Sequence, residues 1–197
     1  MANAHQNDLT EGRILPALIR FSLPMIAANL LQAFYGVVDI YVVSVFVGRD
    51  GVSALNNASQ ITYIITNAVI GLAMGGNILI GQYFGRRDQK NQSETTVTFL
   101  GLFLVIGLMS TVFFGCLSFW MLEAIQTPAE VLSAAHHYLL ICSLGIVFVY
   151  GYNAFASILR AVGNSRKPMH FIAFATVTNI VLDFLFVGVF QWNTAGA

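Results

Sequence analysis

The sequence predicts an all-α membrane protein that crosses the bilayer five times, with a cytoplasmic N-terminus. Its 197 residues are 57% hydrophobic and only 9% charged, with a mean hydropathy of +0.73, whereas soluble proteins average about 25% charged residues. The few charges are confined almost entirely to the connections between five apolar runs, and the basic ones concentrate on one side. This composition excludes a disordered chain and is not that of an ordinary soluble domain.

Each apolar run is long enough to cross a bilayer. A hydrocarbon core of ~30 Å needs about 20 residues of helix, and backbone polar groups in lipid must be paired within their segment, so the runs should be helical. Of the nine acidic and nine basic residues, only Asp39 and Asp183 fall inside a run. The predicted spans are residues 21–47, 61–84, 95–122, 131–159 and 168–190. Residues 1–20 are predicted to form a cytoplasmic segment, with 8–12 at the surface, and residues 191–197 an external loop.

The basic residues predict the orientation of these spans. Lys and Arg side chains are enriched in cytoplasmic connections. Arg49 alone lies on the side opposite to the N-terminus. The N-terminus is therefore predicted to lie inside and the residues after the fifth span outside. The other basic residues, on the predicted cytoplasmic side, are Arg13, Arg20, Arg86, Arg87, Lys90, Arg160, Arg166 and Lys167.

Several classes of function are not indicated. The net charge is zero, so a nucleic-acid partner is not expected. The two cysteines, Cys116 and Cys142, both lie in apolar runs and cannot form a disulfide framework or a zinc ligand set. An intramembrane enzyme is not expected, because the aspartates lack a recognisable protease context and no histidine cluster offers a metal site. We expect no catalytic residue, no transition metal and no cofactor.

The two acids inside the spans indicate ion chemistry. A carboxylate at the bilayer centre costs about 2.5–3.5 kcal/mol on insertion scales. At ~1.5 Å per residue, both Asp39 and Asp183 fall in the outer half of the membrane and could share one cavity. No span contains Lys or Arg, and a buried carboxylate without a basic partner tends to hold a proton or recruit a cation. The alternative is that the acids only form interhelical hydrogen bonds.

Polar residues at helical spacing accompany these acids. On three spans they recur every three or four residues, which places them on one helix face. We expect the three faces to meet around a water-filled cavity, although Asn153, Thr176 and Ser157 could equally be ordinary interhelical contacts. The three sets are Asn29, Gln32, Gly36 and Asp39 on the first span, with Tyr35 beside them; Tyr150, Asn153 and Ser157 on the fourth; and Thr176, Asn179 and Asp183 on the fifth.

Three motifs together resemble the multidrug and toxic compound extrusion (MATE) exporters, in particular the DinF-like and sodium-driven members. They are Leu23-Pro24 with Asp39 fifteen residues after the proline, the connection of residues 160–168, and Asn-x-x-x-Asp at residues 179–183. The resemblance runs from about residue 9 to residue 197. It implies that the five spans belong to an N-terminal lobe of six helices, and it implies no enzymatic activity.

The resemblance also implies roles for individual residues. Asp39 and Asp183 match the carboxylates of a cation site, and Asn179 and Asn153 match amides of the same site. Pro24 matches a proline associated with bending of the first span. Gln32, Tyr35 and Tyr138 match the polar shell around that site, to which Thr176 is added by its spacing on the fifth span.

The implied function is export of amphiphilic or cationic compounds across the plasma membrane by alternating access, coupled to inward Na⁺ or H⁺. Residues 191–197 would then lead to a sixth span, and a second lobe would be the partner. The sequence leaves two alternatives open. One is a flippase for lipid-linked oligosaccharides with a related helix plan, which the lack of intramembrane basic residues disfavours. The other is a membrane remnant that transports nothing.

Overall fold

The computed structural model describes residues 13–196, and these form five long helices with no strand among them. The prediction of an all-α membrane protein with five spans is confirmed, since each helix contains a window long and apolar enough to cross a bilayer. The helices are α1 (Ile14–Phe46), α2 (Arg49–Gly85), α3 (Gln89–Ala124), α4 (Ala129–Ala161) and α5 (Arg166–Asp183). After α5 come a π-helical segment (Phe184–Val189) and a 3₁₀ turn (Asn193–Gly196).

The helices are longer than the apolar runs that predicted them. α1 begins at Ile14, so that residues 14–20, assigned above to a cytoplasmic segment, are helical. α2 begins at Arg49 rather than near residue 61. Hydrophobicity marks only the part of a helix that lies in lipid, whereas a helix of 33 residues is ~50 Å long and extends past a core of ~30 Å. The predicted surface segment 8–12 and Ala197 lie outside the described residues.

Short turns join successive helices and make them antiparallel. Each turn contains a residue with a positive φ angle, which reverses the chain in a few residues. Gly48 (φ 88°) and Gly163 (φ 80°) adopt it without steric cost, while Arg87 (φ 58°) and Gln126 (φ 56°) adopt it as non-glycine residues. Short turns between long helices produce an up-and-down arrangement.

The turn before α3 is reinforced by a capping residue. Asp88 accepts hydrogen bonds from the backbone N–H of Asn91 at 3.2 Å and from the Asn91 side-chain amide at 2.6 Å. These bonds stabilise the ionised carboxylate, so the Asn91 amide holds the pKa of Asp88 below its usual value. The cap satisfies one of the free N–H groups at the start of the helix.

The hydrophobic core lies between α2, α3 and α4. Its buried residues come from these three helices and from neither α1 nor α5. Phe99, Phe103 and Tyr150 form an aromatic row, with ring centroids 4.4 Å and 5.8 Å apart. Gly107 lets α3 approach α4, because a Cβ there would lie 3.1 Å from Tyr150 Cβ. This three-helix bundle is the tightly packed part of the structure.

Hydrogen bonds from polar side chains also join the helices of this bundle. The Ser157 hydroxyl of α4 donates to the Ala73 carbonyl of α2 at 2.8 Å, and the Asn77 amide of α2 donates back to the Ser157 carbonyl at 2.9 Å. The Ser110 hydroxyl of α3 donates to the Tyr150 hydroxyl at 3.1 Å. Hydrogen bonds of this kind stabilise helix pairs in membranes.

Helices α1 and α5 form a second, looser unit. α1 packs mainly along α5 and less against α2, and α5 makes few contacts with α4. Only Ala28, Val42 and Val43 of α1 are fully buried. The buried face of α5 contains Thr176 and Asp183. The boundary between the α1–α5 pair and the bundle of α2 to α4 is therefore lined by several of the polar residues singled out from the sequence.

The reciprocal bonds between α2 and α4 yield a stability prediction. Ser157→Ala removes the hydroxyl that bonds Ala73 and should lower the free energy of unfolding by about 0.6 kcal/mol, and by at most ~1.7 kcal/mol. Thermal unfolding of the purified protein in detergent measures the change. Ser133→Ala, at an exposed position of the same helix, is the matched control and should shift unfolding less. Equal shifts in the two variants would show that the bond contributes nothing.

Candidate cation site

Helix α1 brings a polar face to the boundary between the two helical units. Since α1 is continuous from Ile14 to Phe46, the predicted series ending at Asp39 lies on one face. Gln32 and Tyr35 are exposed, whereas Asp39 is half-buried. Asp39 Oδ1 is buried and has no hydrogen-bond partner among the described residues. A carboxylate oxygen thus faces the interior of the protein without a donor.

Asp183 is the most enclosed polar group of the site. It is the last residue of α5 and only 1% exposed. Its Oδ1 atom accepts a long hydrogen bond of 3.5 Å from the Asn179 amide one turn earlier. Asp183 Oδ2, Asn179 Oδ1 and Thr176 Oγ1 are buried, and the structure of residues 13–196 provides no partner for them. A single helix face therefore presents three unsatisfied oxygens.

The two acids lie near each other. Asp39 and Asp183 lie close enough for their charges to interact, as expected from their similar depth on α1 and α5. Since no Lys or Arg occurs in the apolar spans, neither of these side chains compensates the repulsion, and a proton or a bound cation would do so. Carboxylate and amide oxygens are ligands for hard cations. In the part of the chain that is described, no three His, Cys, Asp or Glu side chains converge as a metal site would require.

Tyrosines from two helices complete the surroundings of Asp39. Tyr35, one turn before it on α1, and Tyr138 of α4 both lie near enough to interact with its charge. The Tyr138 hydroxyl also lies near the side chains of Ser59 and Cys142. α4 thus reaches Asp39 from the side of the bundle through Tyr138, and the candidate site spans the boundary between the two units.

Ser59 and Cys142 were not predicted from the sequence. Cys142 follows Tyr138 by four residues and so lies on the same helix face, a signal that helical spacing could have provided. Ser59 precedes the second apolar run and was assigned to a connection, although it lies well within α2. No pattern in the sequence identified it.

Two residues of the polar series of α4 make contacts other than those predicted. Tyr150 and Ser157 bond α3 and α2 instead, and the Asn153 amide donates to the Val149 carbonyl of its own helix at 2.9 Å. Asn153 also lies fifteen residues beyond Tyr138, which is ~22 Å along α4. Tyr150 and Ser157 therefore hold the bundle together instead of lining the predicted cavity, while the place of Asn153 in the cation site stays a prediction.

Gln32 and Pro24 also lie away from the acid pair. Gln32 lies two turns before Asp39 on α1 and makes no described side-chain contact with either acid. Pro24 lies within α1, fifteen residues before Asp39 and so ~22 Å from it along the helix. The role of Pro24 in bending remains a prediction. The site that the structure assembles consists of Asp39, Asp183, Asn179 and Thr176, with Tyr35 and Tyr138 around Asp39.

Known proteins are similar to this chain in sequence. The family model described as MatE matches residues 24–185. YpnP of Bacillus subtilis strain 168, a probable multidrug resistance protein, is 34% identical over 192 residues, covering 96% of this chain and 43% of YpnP. The multidrug export protein MepA of Staphylococcus aureus strain NCTC 8325 is 24% identical, covering 93% of this chain and 41% of MepA. The chain thus spans less than half the length of these relatives.

Solved structures show the same helix arrangement. A MATE crystal structure in the straight conformation matches 98% of this chain and 42% of its own, with a TM-score of 0.89 and 24% identity. One in the bent conformation matches 100% of this chain and 43% of its own, with a TM-score of 0.90 and 23% identity. Because the family match also covers most of the described residues, the chain belongs to the MatE family, the multidrug and toxic compound extrusion transporters that its motifs resemble.

Proposed function

We propose that the protein exports amphiphilic or cationic compounds across the plasma membrane, driven by Na⁺ or H⁺ that binds at Asp39 and Asp183. The observation that carries the proposal is the set of buried oxygens for which the described residues supply no donor: Asp39 Oδ1, Asp183 Oδ2 and Asn179 Oδ1. Buried polar groups are nearly always satisfied, so acceptors left open beside two neighbouring acids indicate that a cation or proton completes the site. The names of the relatives, multidrug resistance and multidrug export proteins, support the choice of cargo.

The mechanism follows from charge balance at the site. When the cavity is open to the outside, Asp39 and Asp183 take up a cation or proton, which neutralises their repulsion. A neutral site holds a cationic compound less well, and that compound leaves outward. Coupling requires that the cation bind one conformer more tightly than the other. One charge moved through 100 mV supplies ~2.3 kcal/mol, which is roughly a fifty-fold gradient of exported compound.

A second lobe would complete the transporter. The relatives are more than twice as long as this chain, and α1 carries exposed apolar side chains along most of its length, such as Leu30 at 66% and Val37 at 66%. We propose that part of this surface faces a second helical lobe across the substrate cavity and the remainder faces lipid. Alternating access is then a movement of one lobe against the other.

Asp39→Asn should abolish coupled export. The amide retains the shape of the carboxyl but cannot be charged or protonated, so efflux of a fluorescent cation such as ethidium should fall at least about tenfold. The assay follows ethidium accumulation in cells that express the protein from its complete gene. Asp50→Asn, at an exposed acid in the first turn of α2, is the matched control and should export normally. Unchanged efflux with an asparagine at position 39 would exclude the acid from coupling.

The coupling ion can be identified by varying the two cations separately. Efflux is measured at constant pH with and without Na⁺, and then in sodium-free buffer across a range of pH. Dependence on Na⁺ at constant pH would identify sodium, and efflux in sodium-free buffer that falls at alkaline pH would identify the proton. Efflux indifferent to both ions would contradict the proposal.

Asn179→Ala tests the neutral part of the site. It removes one unsatisfied oxygen and the amide that donates to Asp183, but leaves both acids in place. The half-saturating concentration of the coupling cation should rise roughly five- to tenfold, with the maximal rate of efflux less affected than in Asp39→Asn. Asn67→Ala, at an exposed asparagine of α2 whose amide bonds its own helix at Tyr63, is the control. A variant at 179 that behaves like this control would remove Asn179 from the site.

A further inference from the structure

The outer ends of α1 and α5 are joined by a contact outside the acid pair. Phe46, the last residue of α1, packs edge-on against Phe184, with ring centroids 6.4 Å apart and an angle of 88° between the rings. Edge-to-face pairs at this distance are favourable. Phe184 follows Asp183 directly in the sequence. The contact therefore begins at the residue next to one of the two acids.

Gly188 provides the other half of the contact. A Cβ atom at this position would lie 3.1 Å from Phe46 Cζ and 3.4 Å from Cε1 and Cε2. The ring of Phe46 thus packs closely against the backbone at residue 188, and an added Cβ would press on it. Half of the ring remains exposed, at 51%. In lipid, which is as apolar as the ring, such a contact depends on close packing rather than on removal from water.

The π-helical backbone explains why Gly188 is available at this place. In an α-helix, residues five apart are separated by about 140° around the axis. In the segment Phe184–Val189 the hydrogen bonds join residues five apart, so that the angle between such residues around the axis is smaller than in an α-helix. The wider turn therefore brings Gly188 towards the face that carries Asp183. An α-helical turn would move Gly188 away from that face.

Buried residues lie between this contact and the acids on both helices. On α1, Val42 and Val43 lie between Asp39 and Phe46 in the sequence, and both are 0% exposed. On α5, Val187 lies one turn beyond Asp183 and is 1% exposed. Closely packed interiors transmit strain because enclosed side chains have little room to absorb a shift. A change in the spacing of the helices at Phe46 would therefore be transmitted to the acids.

We propose that Phe46, seated against Gly188 and Phe184, is a positioning residue that sets the distance between the Asp39 and Asp183 carboxylates. The inference rests on the cation site proposed above. It assigns to this contact the role of a fixed point about which α1 moves relative to α5, so that the contact sets how far apart the two acids lie. Phe46 itself does not touch the cation.

The main variant is Gly188→Ala in the protein expressed from its complete gene. The added methyl group displaces the Phe46 ring and separates the acids, so the half-saturating concentration of the coupling cation should rise at least about threefold. The half-saturating concentration of the exported compound should stay within about twofold of the wild type. Gly101→Ala, where an added Cβ meets nothing within 4 Å, is the control and should leave both values unchanged.

A second substitution distinguishes positioning from damage to the fold. Phe46→Leu shortens the side chain and makes room for the methyl group added at position 188, so the double variant Gly188→Ala/Phe46→Leu should recover most of the lost cation affinity. The amount of protein in the membrane is measured for every variant. If Gly188→Ala fails to reach the membrane, Phe46→Ala is used instead. It removes the ring from its contact with Gly188 and Phe184 without a steric clash, and it should also weaken cation affinity.

The outcomes separate this inference from the proposed function. If Asp39→Asn abolishes efflux but Gly188→Ala and Phe46→Ala behave like Gly101→Ala, the positioning role is wrong and the cation site stands. If Gly188→Ala raises the half-saturating concentrations of the cation and of the exported compound together, the contact affects the whole lobe rather than the acid pair alone. That result also overturns the positioning role. If wild-type efflux responds to neither Na⁺ nor H⁺, both the cation site and the positioning role are overturned.

Discussion

The organisation of this lobe depends on two carboxylates that lie near each other in apolar helices, without a Lys or Arg partner. Each charged acid in a span costs several kcal/mol, and their mutual repulsion adds to that cost. An acid pair with a purely structural role would be accompanied by Lys, Arg or several hydrogen-bond donors that offset its negative charge. Here the described residues supply a single long bond from Asn179 to Asp183. In the proposed function a proton or cation offsets this cost, so that occupancy of the site would also stabilise the fold.

The division of the helices fits this dependence. The core and the reciprocal bonds of Ser157 and Asn77 confine α2, α3 and α4 to one arrangement. α1 and α5 carry the acids and are attached to that bundle by fewer contacts. A site within a rigid core would bind its ion equally well in every conformer and could not couple binding to movement. A site between a firm and a looser unit can change its geometry when the looser unit shifts.

The sequence was sufficient for the spans and for the acids, because lipid and charge leave strong local signals. Apolar runs located all five helices, and the cost of a lone carboxylate in lipid identified Asp39 and Asp183. Helix ends were missed, since α2 extends to Arg49 through polar residues that lie outside the apolar run. The contacts of Tyr150 with α3 and of Ser157 with α2 could not be predicted, because helical spacing shows which residues share a face but not which neighbour that face meets. The π-helical segment and its contact with Phe46 had no signal in the sequence, since they depend on the packing of α1 on α5.

The size of the movement that coupling requires is small. At an effective dielectric constant of about 20, a carboxylate attracts a cation ~4 Å away by ~4 kcal/mol and one ~7 Å away by ~2.4 kcal/mol. Moving one of the two acids outward by ~3 Å therefore weakens binding by ~1.8 kcal/mol, which is comparable to the ~2.3 kcal/mol that one charge gains from 100 mV. A shift of α1 against α5 by ~3 Å would thus change the free energy of cation binding by nearly as much as the membrane potential supplies for one charge. An arrangement in which the acids lie at the boundary between two helical units, with their spacing controlled from the outer end, permits such a shift without unfolding any helix.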